Sequence, residues 1–211
     1  LSSQELQLGV TLIDIGYEKI SLGLFKNLAL VHSATFPLGV NHITKDISRV
    51  CSLDIEDSEI IRNKIDFSFK NNETLFDKEG YLKKIYFKNS DFRKISKKLI
   101  FDITKARLDE IFEILKKQMI LTDIEDIFIV GGGSNLNNLE KYCTEFFGAN
   151  IKKKGQNDIK QGLLFSEKEL SSCLGAIKII KDGWETEAIP ESANKYIQKT
   201  GVFAKIFGKF L

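Results

Sequence analysis

The fifty residues between Gly80 and Gly131 contain neither glycine nor proline. Inside that window Phe92, Ile95, Leu99, Ile103, Ala106, Ile111, Leu115 and Met119 recur at steps of mostly three or four. That spacing is one face of a long helix, with Ser90 or Asp91 as its expected cap. Such a helix needs a core to lie against, and 211 residues with 43% hydrophobic content can supply one.

Around that helix the chain reads as mixed α/β. Val10–Ile15 is a short run rich in β-branched residues, and Ile20–Phe25 is a second one. Asn27 turns the chain into a third strand over Leu28–Ser33, and Pro37 and Gly39 end the set. Asn41 is the expected cap of a helix through Val50, and Asp54 that of a helix over Ile55–Lys64. Residues 65–90 predict small strands with a hairpin at Asp77–Gly80. Asp126–Val130 reads as a strand ending in Gly131-Gly132-Gly133, followed by a helix over Asn137–Phe147 that stops at Gly148. Ile151 opens a short strand ahead of Lys152–Lys154, and Leu170–Ile180 is a last helix.

The function classes are narrowed by charge and cysteine content. Lys and Arg number 31 against 29 Asp and Glu, so a general nucleic-acid coat is not expected. Cys51, Cys143 and Cys173 are far apart, with no CxxC pair and no histidine at ligand spacing. They predict three buried, reduced thiols and no metal cluster. His32 and His42 read as structural residues. Residues 81–118 carry 11 Lys and Arg against 5 Asp and Glu, which reads either as a solvated helix face or as a site for an acidic peptide.

The two ends of the chain differ from its body. The first residue is Leu1 rather than Met, and no signal-peptide pattern follows it. Residues 182–199 are polar and aperiodic and read as a linker. In the last segment, Val202, Phe203, Ile206, Phe207, Phe210 and Leu211 cover one half of a helix, with Lys205 and Lys209 on the other half. Aromatic and aliphatic residues facing lysines are the composition of a helix lying in a membrane surface. Weak binding by one such helix is expected, and firm binding by several on one assembly.

Two strand-to-glycine junctions carry the chemistry. Leu12-Ile13-Asp14-Ile15-Gly16 runs a strand with an aspartate into a glycine. Phe128-Ile129-Val130-Gly131-Gly132-Gly133-Ser134-Asn135-Leu136 ends a strand in a glycine loop ahead of a helix. Such loops admit close backbone approach by a ligand, and helix starts offer N–H groups. Together with Phe36–Ile47, Ser58-Glu59-Ile60-Ile61-Arg62 and Ala106-Arg107-Leu108-Asp109-Glu110-Ile111, these junctions resemble the second half of the FtsA family of bacterial cell-division proteins, actin-like ATPases. The resemblance covers almost the whole chain and extends to the linker and terminal amphipathic helix.

The resemblance implies an actin-like ATPase (ribonuclease H-like) α/β fold, second lobe. Residues 1–61 and 120–181 would form one subdomain and residues 62–119 an inserted small α+β one. Residues 182–199 would be the linker and residues 200–211 the membrane-targeting helix. It implies a protein that anchors filaments of the tubulin-like FtsZ to the cytoplasmic face of the inner membrane at the division site. Such a protein would polymerise in an actin-like way, meet other division proteins and bind ATP with Mg2+. Asp14 and Gly16 would serve the phosphates and, indirectly through Asp14, the metal. Glu59, Arg62, Gly131, Gly132, Gly133 and Ser134 would border the adenosine. Arg107, with Lys97, Lys98 and Lys105, would take the carboxylate-rich FtsZ tail, since guanidinium pairs carboxylates bidentately. The front half of a two-lobed protein is expected upstream of Leu1. An actin-like pilus-assembly protein and a degenerate kinase or ATPase of the superfamily are the alternatives.

One stretch departs from the family pattern. Where the family reads Asp-Ile-Gly-Gly-Gly-Thr-Thr-Asp, this chain reads Asp14-Ile15-Gly16-Tyr17-Glu18-Lys19-Ile20-Ser21. Tyr17 puts a ring, and Glu18 a negative charge, where backbone amides would wrap a phosphate. Weakened nucleotide binding and little or no hydrolysis are expected.

Overall fold

A five-stranded sheet organises the protein in its computed structural model, which describes residues 1–69, 73–119, 126–148, 150–152 and 171–182. Strands β1 (Val10–Ile15), β2 (Ile20–Lys26) and β3 (Ala29–Phe36) form an antiparallel meander. Strands β4 (Asp126–Val130) and β5 (Asn150–Lys152) add on the other side of β1 in parallel, giving the order β3-β2-β1-β4-β5. Central β1 and β4 alternate or run apolar, and Val10, Ile13, Ile15, Ile127 and Ile129 are buried.

The helices are α1 (Ser3–Leu8), α2 (Val40–Cys51), α3 (Ile55–Lys64), α4 (Lys97–Met119), α5 (Leu139–Phe147) and α6 (Ser171–Asp182). The short α1 was not anticipated, although its signal is present: Ser2 and Glu5 form a reciprocal capping box. Val40, Ile43, Ile47 and Cys51 bury one stripe of α2. That helix starts at Gly39 rather than at Asn41, because the Gly39 N–H donates to Nδ1 of His42 at 3.1 Å and Asn41 is buried in the first turn. Helix α3 has the expected bounds, with the Asp54 carboxylate accepting from the Glu56 amide.

The long helix is real but starts later than its periodicity suggested. The Ser90 hydroxyl donates to Asp57 at 2.7 Å and accepts from the Asp54 amide, so it ties its loop to the start of α3. Ser96 instead accepts from the Leu99 amide where α4 begins. The buried stripe is Ile100, Phe101, Thr104, Leu108, Ile111, Phe112 and Leu115. Phe92 and Leu99, expected on that face, are 54% and 39% exposed, and Ala106 is exposed as well. Phe92 lies in the preceding loop, edge-on to Phe87. Between α3 and α4, among the described residues, the expected strands reduce to single bridges, Phe76 to Leu82 and Tyr81 to Ser96. The turn at Asp77–Gly80 is held by the Asp77 side chain, which accepts from the Glu79 and Tyr81 amides.

Helix α4 meets α5, α2 and β3 of the body. Phe112 meets Tyr142, Phe146 and Phe147 of α5, and Arg107 pairs with Asp46 of α2. His32 links β3 to α4 through Gln118 at 3.1 Å. Cys51 and Cys143 are buried as expected, whereas Cys173 is exposed on α6. No helix among the described residues is long and apolar enough to cross a membrane. The linker and the segment from Val202 to Leu211 lie outside the described residues.

Candidate functional site

The carboxyl ends of β1 and β4 lie side by side, with Asp14 opposite Val130 in the parallel register. Ligands of open α/β sheets gather beyond such strand ends. The loop after β4 packs directly on β1. A Cβ on Gly131 would come within 2.2 Å of the Asp14 carboxylate, and one on Gly133 within 2.4 Å of Ile15 Cγ2. Gly131 has φ +86° and ψ 167°, a backbone state that belongs to glycine. Gly132 differs, since a Cβ there would meet nothing within 4 Å. Ser134 is buried, and its hydroxyl donates to the Gly131 carbonyl at 2.7 Å, closing the loop on itself. Asp14 also accepts from the Ser172 hydroxyl of α6 at 3.0 Å. Among the described residues no group of three potential ligands is placed to hold a metal ion.

The turn after β1 is closed in another way. The Gly16 N–H donates to the Lys19 carbonyl at 3.0 Å, and the first amides of α2, Val40 and Asn41, donate to the carbonyls of Gly16 and Tyr17 at 3.1 and 2.8 Å. Gly39 lies so close that a Cβ there would sit 2.3 Å from the Tyr17 carbonyl oxygen. The Glu18 carboxylate accepts from Asn41 Nδ2 at 2.6 Å and from Lys45 Nζ at 3.3 Å. The Asn41 bond comes first, and Lys45 adds to it, in holding the Glu18 carboxyl below the usual carboxylate range. The Tyr17 ring, 47% exposed, stands 5.7 Å from the guanidinium carbon of Arg62 on α3.

Arg62 is only 4% exposed. Its Nη2 donates to Glu59 at 3.1 Å and to Asn63 at 2.8 Å, while Nε and Nη1 find no hydrogen-bond acceptor among the described residues. Burial pulls this guanidinium below the usual arginine value, and Glu59 works against that pull. Asp14, Gly16, Gly131, Gly132, Gly133 and Ser134 thus meet at one end of the sheet, and Arg62 with Glu59 joins them through Tyr17. The sequence marked Tyr17 as a misfit and Arg62 as a candidate, but nothing in it paired them. The Asn41, Lys45 and Ser172 contacts left no signal either.

The nominated lysines form a second place. Lys97, Lys98 and Lys105, with Phe69, Phe101 and Asp102, line a groove of about 470 Å³ on α4. Lys97 Nζ lies 5.4 Å from the centre of the Phe101 ring. Arg107, two residues further along α4, does not line the groove. Its Nε and Nη2 donate to the two Asp46 oxygens at 2.6 and 3.1 Å, and Nη1 donates to Glu110. The aromatic residues of the groove were not singled out from sequence, because Phe69 lies far from α4 along the chain.

Comparisons with known proteins bear on the family and the fold. Residues 11–175 match the family model described as cell division protein FtsA. The cell division protein FtsA of Bacillus subtilis (strain 168) is 28% identical over 63% of this chain and 30% of its own length. That of Borreliella burgdorferi is 24% identical over 100% of this chain and 52% of its own. The chain therefore spans about half, or less, of the length of these curated relatives. Among solved structures, MreB5 of Spiroplasma citri bound to AMPPNP is similar at TM-score 0.62 and 19% identity, over 87% of this chain and 57% of that one. At that identity the likeness shows the fold, which is that of the actin-like ATPases.

Proposed function

The chain belongs to the FtsA family of cell-division proteins, and from that membership we propose that it is the adaptor holding FtsZ filaments to the cytoplasmic face of the inner membrane at the division site. The observation that carries the reading is the α4 groove, where three lysines ring two phenylalanines. An acidic tail with apolar side chains finds both complements there: ammonium groups for its carboxylates and aromatic faces for its anchors. Arg107 joins this site by exchanging Asp46 for a partner carboxylate, since its fork is already paired in the chain alone. The segment Val202–Leu211, with lysines opposite an aromatic face, is the membrane end of the adaptor. Self-association into actin-like polymers multiplies both weak contacts.

The cleft at the ends of β1 and β4 is read as the nucleotide site. Its residues fit a nucleoside better than a triphosphate. Gly131 and Gly133 shape the loop, Gly132 leaves it open above, and buried Arg62 carries two nitrogens, Nε and Nη1, with no acceptor among the described residues. At the turn, by contrast, Tyr17 and Glu18 stand where a phosphate would lie. Bound ATP would supply charge for its own metal and a conformational signal. Asp14 would face that metal through water, and Glu59 and Arg62 would hold the adenosine. Hydrolysis is weak or absent, because the turn carries a ring and a carboxylate in place of glycine and threonine. Residues 1–61 and 120–181 act as one subdomain and residues 62–119 as the inserted one that bears the groove.

One co-sedimentation experiment tests the adaptor from both ends, using the full-length gene product, FtsZ filaments and vesicles rich in anionic lipid. The intact protein brings filaments down with vesicles. The variant Lys97→Glu/Lys98→Glu/Lys105→Glu stays on vesicles and loses filaments by about tenfold or more. Removal of Val202–Leu211 keeps filaments and loses vesicles. Filament binding that ignores the three charge reversals, or vesicle binding that survives the truncation, sinks the corresponding half.

A further inference from the structure

The turn Gly16–Lys19 is the place where this chain parts from the ligand that its fold family implies. An anion beside a strand end needs unspent N–H donors or cations. Here the first two amides of α2 are spent on the carbonyls of Gly16 and Tyr17, and the Gly16 amide is spent on Lys19. Gly39 leaves no room between α2 and the turn, since even a methyl group would overlap the Tyr17 carbonyl. Lys45 is engaged by Glu18. Lys19 is exposed on the same turn, beside the Glu18 carboxylate. A phosphate brought to this turn therefore meets the Tyr17 ring and a standing carboxylate, and the first two amides of α2 are not free to take it.

The other half of the cleft selects a different chemistry. The Arg62 guanidinium, its charge already paired with Glu59, is sunk beneath a flat aromatic ring, Tyr17, and its Nε and Nη1 find no acceptor among the described residues. A planar, uncharged heterocycle is the same kind of partner as that ring, with acceptor nitrogens that the ring lacks. The loop of Gly131–Gly133 offers it a backbone wall, open at Gly132.

We infer that the cleft recognises its ligand as a nucleoside and draws no affinity from the phosphates. The inference rests on the nucleotide reading proposed above and sharpens it: the base and sugar carry the binding, and the Tyr17–Glu18 turn makes the site indifferent to phosphorylation state. The protein then reports adenine-nucleoside occupancy rather than the ratio of triphosphate to diphosphate.

Calorimetric titration of the full-length gene product with adenosine, ADP and ATP, each with Mg2+, tests this directly. The expected result is an ATP Kd no more than about threefold tighter than that of adenosine. Glu18→Gln keeps the size and the Asn41 contact but removes the charge. It should tighten ATP by about threefold or more while leaving adenosine within about twofold. Far-ultraviolet circular dichroism checks that this variant is folded. ATP binding more than about threefold tighter than adenosine in the unaltered protein overturns the inference and leaves the nucleotide reading standing. So does an ATP affinity unmoved by Glu18→Gln. Failure of all three ligands to bind overturns both.

Discussion

The loop after β4 and the turn after β1 leave neighbouring, parallel-paired strands at the same end of the sheet, yet one is built of glycine and the other of side chains. In the Gly131–Gly133 loop two glycines serve the protein itself: they let the loop lie on Asp14, Ile15 and Val40 with no room for a Cβ. Only Gly132 stands open. In the Gly16–Lys19 turn the chain closes the structure with the Gly16 amide, the Gly16 and Tyr17 carbonyls and the Glu18 carboxylate. A glycine motif therefore does not equal a ligand motif. The need for glycine at a position separates into internal packing and external access, and the two can be measured apart.

The largest expected effect lies at Gly131. Alanine there combines a positive φ with a Cβ 2.2 Å from Asp14 Oδ1 and 2.6 Å from the Ile15 carbonyl oxygen. Strain and overpacking each cost roughly 1–3 kcal/mol, so Gly131→Ala should lose at least about 2 kcal/mol in urea denaturation. Gly132→Ala should be neutral or stabilise by up to about 1 kcal/mol, through the unfolded chain. Equal losses at the two positions would break the distinction between packing glycine and access glycine.

Next in size is Gly39, which belongs to the other side of the comparison. Its φ of −143° suits any residue, so an alanine there suffers only the overlap with the Tyr17 carbonyl at 2.3 Å and the Glu18 carbonyl carbon at 2.7 Å. The expected loss is about 1–3 kcal/mol. It should come with faster hydrogen exchange of the Asn41 amide, which donates to that carbonyl. Unchanged Asn41 exchange would mean that the turn moves with α2 rather than being clamped by it.

How much of this was legible in the sequence follows the range of the forces involved. Strands β1 and β4 and helix α3 have the expected bounds, because β-branched runs ending in glycine and an aspartate cap are local signals. The start of α4 was misplaced because Ser90 carries two good cap properties and spends both on α3 and Asp57. The apolar stripe of α4 came out shifted for the same reason, since counting began at Phe92, ahead of the helix. At the site, the glycine loop and the misfit of Tyr17 could be read from the motif alone. The Tyr17–Arg62 contact, the Asn41 and Lys45 bonds to Glu18, and the pairing of Arg107 with Asp46 could not, because each joins residues of separate elements. Arg107 shows the limit best: the family resemblance nominated it for a partner, and only the fold reveals the acid that it already holds.

The smallest effect concerns charge rather than space, and it separates the two loops by pH. The Glu18 carboxyl is held below its ordinary value of 4.5, first by the Asn41 bond and then by Lys45, with the His42 ring adding to the field. A carboxylate whose folded pKa is depressed contributes stability above its unfolded value and loses it as pH falls through the folded one. The Tm difference between the unaltered protein and Glu18→Gln should therefore be constant from neutral pH down to about 5 and shrink below about 4.5. The group is exposed to solvent, so the difference is small, and added salt should diminish it further. Gly132→Ala changes no titrating group, and its Tm offset should stay level over the same range. If the Glu18→Gln offset were also flat, the turn would be held by its backbone bonds alone, with the carboxylate a bystander. The charge that sets this turn apart from the glycine loop would then have to come from elsewhere.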